Sequence, residues 1–221
     1  MMLEMLHRYG PDLLTGFGLT LLTWVLGTAG GLVLGFLMEM ARRFGPRIWV
    51  GWPIRAYVEF IRGTPFLVQL FVLYYGGPLI GLRLDALPAG VLGLSLYGAA
   101  YFTEILRAGF DAVPKGQIEA ARAIGLPGRT IVWRIMLPVM MVSALPALVN
   151  FAIILTKETV ILSMITVPEI MFQTQTMMSE TFAFVLPILI LALFFWGFVE
   201  VISRFGRRLE RRFTHYLLEE S

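Results

Sequence analysis

Long apolar runs separated by short charged stretches dominate this chain. Runs long enough to cross about 30 Å of hydrocarbon as a helix, at about 1.5 Å per residue, recur along its length. We predict five membrane spans, at residues 13–40, 64–80, 87–107, 137–157 and 182–203. The second is the least regular, because its apolar core is short and ends at Gly76, Gly77 and Pro78. The pattern predicts an all-α integral membrane protein with a single transmembrane domain over residues 1–221.

The composition supports a membrane protein. Hydrophobic residues make up 57% of the 221 residues and charged residues 15%, and the mean hydropathy is +0.77. A soluble fold of this size cannot bury so much apolar surface. Cysteine is absent, which excludes disulfides and thiolate metal sites. The basic residues cluster between apolar runs, so the pI near 9.4 indicates membrane topology and not nucleic-acid binding.

The distribution of basic residues predicts the orientation. Of the 18 Lys and Arg residues, only Arg8, Arg83 and Lys157 fall on one side of the predicted spans. The other side receives Arg42, Arg43, Arg47, Arg55, Arg62, Arg107, Lys115, Arg122, Arg129, Arg134, Arg204, Arg207, Arg208, Arg211 and Arg212. The positive-inside rule therefore predicts an outside N-terminus and a cytoplasmic C-terminus. The residues before the first apolar run lack a basic leader, so we expect that run to be retained as a span.

Two spacings predict contacts between and within helices. Gly27, Gly31 and Gly35 recur every four residues in the first span. They predict a smooth face on which another helix can pack closely. Glu104 and Arg107, three residues apart at the inner end of the third span, are spaced for an ion pair within one helix.

The stretch before the second span predicts an interfacial helix. Between residues 48 and 61, charged and apolar side chains separate onto different faces when the segment is drawn as a helix. Such a helix lies along a membrane surface and not across it. We therefore expect this segment to follow the cytoplasmic surface before the chain enters the bilayer.

Residues 113–138, between the third and fourth spans, are too polar to cross the membrane. Prolines and a glycine at helix-start and helix-stop positions indicate short helices and not an irregular loop. Pro114 can begin a helix, and Gly125 is a natural left-handed stop. Pro127 then begins a second short helix, and Pro138 marks the turn into the fourth span. The segment predicts a cytoplasmic helix–Gly–helix coupling loop.

This loop carries Glu119-Ala120-Ala121, then Gly125, Ile135 and Leu137-Pro138. The set resembles the permease subunits of bacterial ABC importers, whose motif has these residue types at this spacing. The alternative is an ordinary amphipathic linker. The resemblance implies that the loop inserts into a groove on an ATPase subunit. The docking residues that it implies are Glu119, Ala120, Ala121 and Gly125.

Further segments resemble the branch of that family that imports polar amino acids, namely residues 60–71, 100–109 and 113–117. The resemblance implies a bacterial cytoplasmic-membrane protein that works with a pair of ATP-binding subunits, an external solute-binding protein and a second permease copy or related chain. The sequence departs from the family at 157–161, where Val160 stands at a position that usually carries a serine. A role for that position is therefore not carried over.

Polar side chains inside predicted spans are candidates for a solute path, because placing charge at membrane depth is unfavourable unless it faces protein or water. They are Gln69, Asn150, Lys157 and Glu158. As alternatives, Gln69 and Asn150 could bond neighbouring helices, and Lys157 and Glu158 could pair near the outer headgroups. The apolar stretch 160–167 is too short to cross, and we expect it to be half-inserted and surrounded by protein.

The sequence also separates the classes of function. It has no Gly-x-x-x-x-Gly-Lys-Ser/Thr loop, so we expect no cofactor on this chain and ATP use by a partner. A membrane enzyme is disfavoured, because the two histidines, His7 and His215, lie at opposite ends of the chain. A passive channel leaves the loop unexplained. A polar amino acid is the favoured solute, with an osmolyte or an opine-like amino-acid derivative as alternatives.

Overall fold

The computed structural model describes the backbone of residues 2–218 and the side chains of residues 4–212; the His215 side chain lies outside this range. Helices form nearly all of the described chain. They are α1 (Met2–Phe44), α2 (Trp52–Gly63), α3 (Phe66–Phe71), α4 (Ala86–Asp111), α5 (Lys115–Ala123), α6 (Gly128–Ile131), α7 (Leu137–Glu158), α8 (Ile170–Thr181) and α9 (Val185–Leu218).

Wider and tighter turns extend several of these helices. π turns occupy Arg47–Gly51, Val72–Gly76 and Val132–Met136, and 3₁₀ turns occupy Gly77–Ile80 and Thr159–Ile165. Within the described residues, four helices are long and apolar enough to span a membrane: Glu4–Phe44, Ala86–Asp111, Gly128–Ile165 and Val185–Arg212. A fifth span arises if Arg47–Gly63 and Phe66–Ile80, which meet at 111°, count as one. The all-α membrane fold predicted from the sequence is confirmed.

The second predicted span is thus half of a bent pair. Pro65 disfavours helical backbone at Thr64, whose φ of −123° and ψ of 147° end α2. The side-chain amide of Gln69 then donates to the carbonyls of Ile61 and Thr64, at 2.7 and 3.0 Å. These bonds satisfy carbonyls that the end of a helix leaves unpaired. Pro65 therefore ends α2 and sets the bend, and the Gln69 amide stabilises the bend by bonding the free carbonyls at the end of α2.

The central contact of the fold joins α1 to α4. A Cβ atom built on Gly31 would lie 3.1 Å from the Cα of Gly98, so these two backbones approach without intervening side chains. On either side, Gly27 faces Leu94 and Gly35 faces Phe102. The predicted smooth glycine face is confirmed, and α4 is the helix that occupies it.

The helix α4 also packs on α7 and is largely buried between its neighbours. The ring of Phe151 on α7 stacks on Tyr101 at 4.7 Å and meets Phe102 edge-on at 5.0 Å. Outside this core, Gly206 of α9 packs directly on Val149. Phe194 and Phe198 of α9 also meet Phe17 and Trp24 of α1 edge-on, at 4.9 and 5.2 Å. The opposite side of α9, with Leu189, Leu193 and Trp196, is exposed, as expected for a helix in contact with lipid.

The predicted turn at Pro138 is wrong. From Gly128 to Ile165 the chain forms one helix of 38 residues that passes through Pro138 and Pro146. The π turn at Val132–Met136 directly precedes Pro138. A wide turn of this kind gives room to a proline ring that would clash in a regular helix. The second part of the predicted loop is therefore the start of the fourth span.

The helix α8 is an element that the sequence interpretation missed. Glu169 caps its first turn and accepts hydrogen bonds from the backbone N–H groups of Met171 and Phe172, both at 2.9 Å. Its carboxylate also accepts from the hydroxyl of Thr20 on α1, at 3.4 Å. Burial raises the pKa of Glu169 to about 7, and these hydrogen bonds offset part of that rise. The cap therefore ties α8 to the first span.

The 3₁₀ turn at Thr159–Ile165 connects α7 to this junction. Leu162 and Ile165 are fully buried, and Leu162 packs on Gly90 of α4. Leu162, Ser163, Ile165 and Val167 of the stretch that is too short to cross a membrane are thus buried in protein, whereas Met164 is 47% exposed. Protein therefore covers one side of this stretch.

The α1–α4 contact predicts a sharp difference between two identical substitutions in one helix. Gly31→Ala places a methyl group against the backbone of Gly98 and should destabilise the protein by about 1–3 kcal/mol through overpacking. Gly18→Ala meets no atom within 4 Å and should leave stability unchanged or slightly higher. Thermal denaturation in detergent measures both. Equal melting temperatures for the two variants would contradict the contact.

Glu169 predicts a pH dependence of stability. Its pKa is raised from 4.5 to about 7 in the folded protein, so between these values the native state binds more protons than the unfolded state. The free energy of unfolding should therefore fall as pH rises from about 4.5 to 7 and then level off. Glu169→Gln should remove this component, whereas Asp12→Asn, which replaces an exposed carboxylate, should keep it. Melting curves across this range test the difference.

Candidate functional site

The first candidate element is the turn that follows α5. This helix begins after Pro114 and ends at Ala123, two residues before Gly125, whose φ is 77°. The N–H of Gly125 bonds the carbonyl of Arg122 at 2.9 Å, and the N–H of Leu126 bonds that of Ala121 at 3.1 Å. These bonds close the helix end in the way that a left-handed glycine permits. The turn is therefore closed by its own backbone bonds, and Leu126 beside it packs against the main apolar core.

The four predicted docking residues do not share one environment. Glu119, Ala120 and Gly125 are exposed, while Ala121 is buried in the main apolar core. Ile124, beside the glycine, is 77% exposed and gives the turn an apolar tip. The surface available to a partner thus consists of Glu119, Ala120, Gly125 and Ile124, with Ala121 holding the helix against the protein.

Gly125 is required by backbone conformation alone. An added Cβ would meet no atom within 4 Å, so space does not restrict the side chain. A positive φ of 77° is unfavourable for any residue with a Cβ, by about 1–2 kcal/mol. The orientation of the chain between α5 and α6 therefore depends on glycine at this position.

The second candidate element is one face of α7. Five exposed residues recur along it at helical spacing, four of them small or polar and one, Ile154, apolar: Ser143, Ala147, Asn150, Ile154 and Lys157. Asn150 and Lys157 are seven residues apart, or about 10 Å along the axis. Polar groups at membrane depth face protein or water and not lipid. This face therefore indicates a surface that another chain or a water path covers.

The remaining predicted path residues lie off this face. Glu158 is half-buried and lies within electrostatic reach of the Tyr97 hydroxyl. Gln69 lines a separate, mostly apolar groove of about 390 Å³ beside α3, and its amide is bonded to the end of α2. The structure thus brings Asn150 and Lys157 together, turns Glu158 toward α4, and gives Gln69 a capping contact.

A cavity of about 400 Å³ continues the α7 face toward the arginine-rich end of the helices, lined by Ser143 and Ala147 together with Arg62, Tyr101, Glu104 and Arg107. Glu104 pairs with Arg107 at 2.8 Å, so the predicted helix pair is confirmed. Two further guanidinium groups, of Arg42 and Arg62, lie 3.9 Å from the same carboxylate. Arg62 also lies over the ring of Tyr101, 5.6 Å from its centre.

The sequence did not predict this charged cavity, because the residues that line it come from three separate segments of the chain. The α7 face could have been found. Its five residues recur at spacings of four, three, four and three, which is the helical pattern of a single stripe.

A protein-family model described as "Binding-protein-dependent transport system inner membrane component" matches residues 31–215. Among curated proteins, the probable amino-acid ABC transporter permease protein YckA of Bacillus subtilis (strain 168) is 35% identical over 207 residues, covering 94% of this chain and 91% of that protein. The arginine transport system permease protein ArtQ of the same organism is 35% identical over 205 residues, covering 91% of this chain and 92% of that protein.

Solved structures show the same architecture. A chain from the crystal structure of an amino acid ABC transporter with histidines superposes with a TM-score of 0.88 and 32% identity, covering 96% of this chain and 98% of that one. A chain of the MetNI methionine ABC transporter in an inward-facing form gives a TM-score of 0.72 at 20% identity, covering 96% and 97% of the two chains. The second likeness concerns the fold alone.

Proposed function

Because the chain belongs to the family of binding-protein-dependent transport system inner membrane components, we propose that its two candidate elements divide one task between them. The chain is a multi-pass inner-membrane permease subunit of an ABC importer for amino acids. In our proposal, the polar face of α7 lines the solute path and the α5 turn docks the ATPase. The observation that carries this proposal is that one unbroken helix, Gly128–Ile165, connects the two.

We propose the orientation that the basic residues favour. Ion pairs bring the arginine-rich ends of α1, α2 and α4 together around Glu104, and α5 follows α4 directly. This end faces the cytoplasm in our proposal, since basic residues accumulate on that side. The α5 turn then projects toward soluble partners, and Lys157 lies near the outer surface.

The partners follow from this arrangement. The α7 face is exposed in a single chain, and five spans cannot enclose a path, so a second permease copy or related chain covers that face. A pair of ATP-binding subunits engages the two α5 turns and hydrolyses ATP. An external solute-binding protein delivers the solute to the opposite end. Glu119, Ala120 and Gly125 form the docking contact, and Ala121 supports it from inside.

The solute that fits the path is a polar amino acid. Named relatives include permeases for arginine and for glutamine, which both carry an α-amino and an α-carboxylate group. Asn150 offers an amide that can bond either group. Lys157 offers a positive charge at the outer end of the same face, and the half-buried carboxylate of Glu158, which turns toward α4, borders the path there. These groups together complement a zwitterion, and we assign Gln69 the closing of the α2–α3 bend beside the path.

The docking role predicts loss of transport without loss of the protein. Glu119→Lys reverses an exposed charge at the proposed contact, and Gly125→Pro imposes a negative φ where the turn needs 77°. Each should reduce ATP-dependent uptake into proteoliposomes by more than tenfold, as expected for disruption of a close charged contact. Membrane insertion should be unchanged, and the ATP-binding subunit should no longer co-purify.

Gly128→Ala is the matched control for the glycine. It lies three residues further along, an added Cβ there meets no atom within 4 Å, and its φ is not positive. This variant should transport normally. Normal uptake and co-purification in Gly125→Pro and Glu119→Lys would refute the docking role.

The path predicts a binding defect at the centre of α7. Asn150→Leu removes an amide that bonds a charged group of the solute, so KM for uptake should rise about tenfold or more. Insertion and stability should be unchanged, because Asn150 is exposed in the chain. Leu193→Ala, at an exposed position on α9, should leave KM unaltered. Initial uptake rates over a range of solute concentrations distinguish the two, and an unaltered KM in Asn150→Leu would remove this residue from the path.

A further inference from the structure

A second cleft, of about 360 Å³, lies between α1, α2 and α4 at the arginine-rich end. Apart from Val58, charged side chains line it: Arg42, Arg55, Arg62, Arg107, Glu59 and Glu104. Four guanidinium groups and two carboxylates thus line the cleft. When Glu39, Asp111 and Arg43, which pair with these groups or with one another just outside it, are counted as well, five guanidinium groups face four carboxylates, an excess of one positive charge. A cleft of this composition is complementary to an anion.

The carboxylates of the cleft are already engaged. Glu104 accepts from the Nε and Nη2 atoms of Arg107 at 3.1 and 2.8 Å. Glu59 accepts from the Nε of Arg55 at 2.7 Å. Outside the cleft, Glu39 holds Arg42 with two bonds of 3.0 and 2.6 Å. The hydrogen bonds of these carboxylates therefore go to three of the four arginines, and Arg62 has only the longer ion pair to Glu104.

Arg62 is the arginine of the cleft that donates no hydrogen bond to these carboxylates and remains available to a ligand. Its guanidinium is 3.9 Å from the nearest carboxylate, that of Glu104, and makes no hydrogen bond to any side chain or backbone group that the structure describes. Arg55 uses its Nε for Glu59, and its two terminal nitrogens make no hydrogen bond to the residues that the structure describes. Both side chains are well exposed. A guanidinium fork of this kind matches the oxygens of a phosphate.

The surroundings indicate that the phosphate belongs to a lipid. Trp49 and Trp52, on the segment that carries Arg55, are 81% and 72% exposed. A smaller cleft lined by Trp52, Arg55, Ala56 and Glu59 extends the charged cleft toward this aromatic surface. Tryptophan and arginine together are typical of helices at the level of lipid headgroups, and basic pockets between helices there bind anionic headgroups.

We infer that the cleft around Arg55 and Arg62 binds the phosphate of an anionic phospholipid. The headgroup lies between α2 and α4, and its guanidinium contacts fix α2 along the membrane surface. This inference rests on the membrane-embedded fold and does not require transport, so its test uses no transport readout.

The test compares lipid binding in the purified full chain with that in arginine variants. Phosphatidylglycerol, phosphatidylcholine and inorganic phosphate are each titrated in detergent, and the rise in melting temperature gives an apparent affinity. Phosphatidylglycerol should stabilise the protein most. Arg55→Ala and Arg62→Ala should each weaken its binding about fivefold, and the double variant about 25-fold, as expected for one surface charge each. Native mass spectrometry should show the matching loss of retained phosphatidylglycerol.

Two controls keep the result specific. Arg47→Ala removes an exposed arginine from the same interfacial segment but not from the cleft, and should bind phosphatidylglycerol like the wild type. Arg62→Lys retains the charge and should lose less affinity than Arg62→Ala, with the lipid-free melting temperature of each variant unchanged. Equal binding of the two phospholipids, an equal shift with inorganic phosphate, or an equal loss in Arg47→Ala would overturn the inference.

Discussion

The fold depends on the close approach of α1 and α4. In lipid, apolar side chains gain little from meeting one another, so helix association relies on van der Waals contact between well-fitted surfaces. Gly27, Gly31 and Gly35 provide that fit, because the backbone of Gly98 lies where a side chain on Gly31 would be. The helix α4 is thereby held in the centre of the molecule, and α7 packs on its other side. The polar face of α7 and the charged cavity beside it are positioned by this one contact.

The parts of the fold that short-range patterns encode could be predicted from the sequence. The lengths of the apolar runs predicted the membrane-spanning helices. The three glycines spaced four residues apart in the first span predicted the face on which another helix packs. The parts that depend on distant residues could not. The hydrogen bond that the Thr20 hydroxyl donates to Glu169 joins residues 149 positions apart, so no local pattern predicted where α8 packs. The turn predicted at Pro138 was wrong because the π turn before it accommodates the proline ring within a continuous helix. No simple residue pattern predicts such a π turn.

The candidate site shows the same division. The α5 turn could be outlined from Pro114 and Gly125, since turn chemistry is local. The cluster around Glu104 collects arginines from α1, α2 and α4, and only the folded chain reveals that one carboxylate serves three guanidinium groups. Gln69 is a second case. The sequence offered it either to a solute path or to hydrogen bonds within the helix bundle, and the folded chain shows that its amide donates to the backbone carbonyls that the bend exposes.

The helix from Gly128 to Ile165 connects the two ends of the subunit without a loop between them. Its 38 residues extend over roughly 57 Å at 1.5 Å per residue. A rigid rod of that length converts a tilt of about 10° at one end into a displacement of about 10 Å at the other. A break at Pro138 would have absorbed such a tilt locally. Because the helix continues through it, a tilt that begins beside Gly125 would be carried along the helix to Asn150 and Lys157.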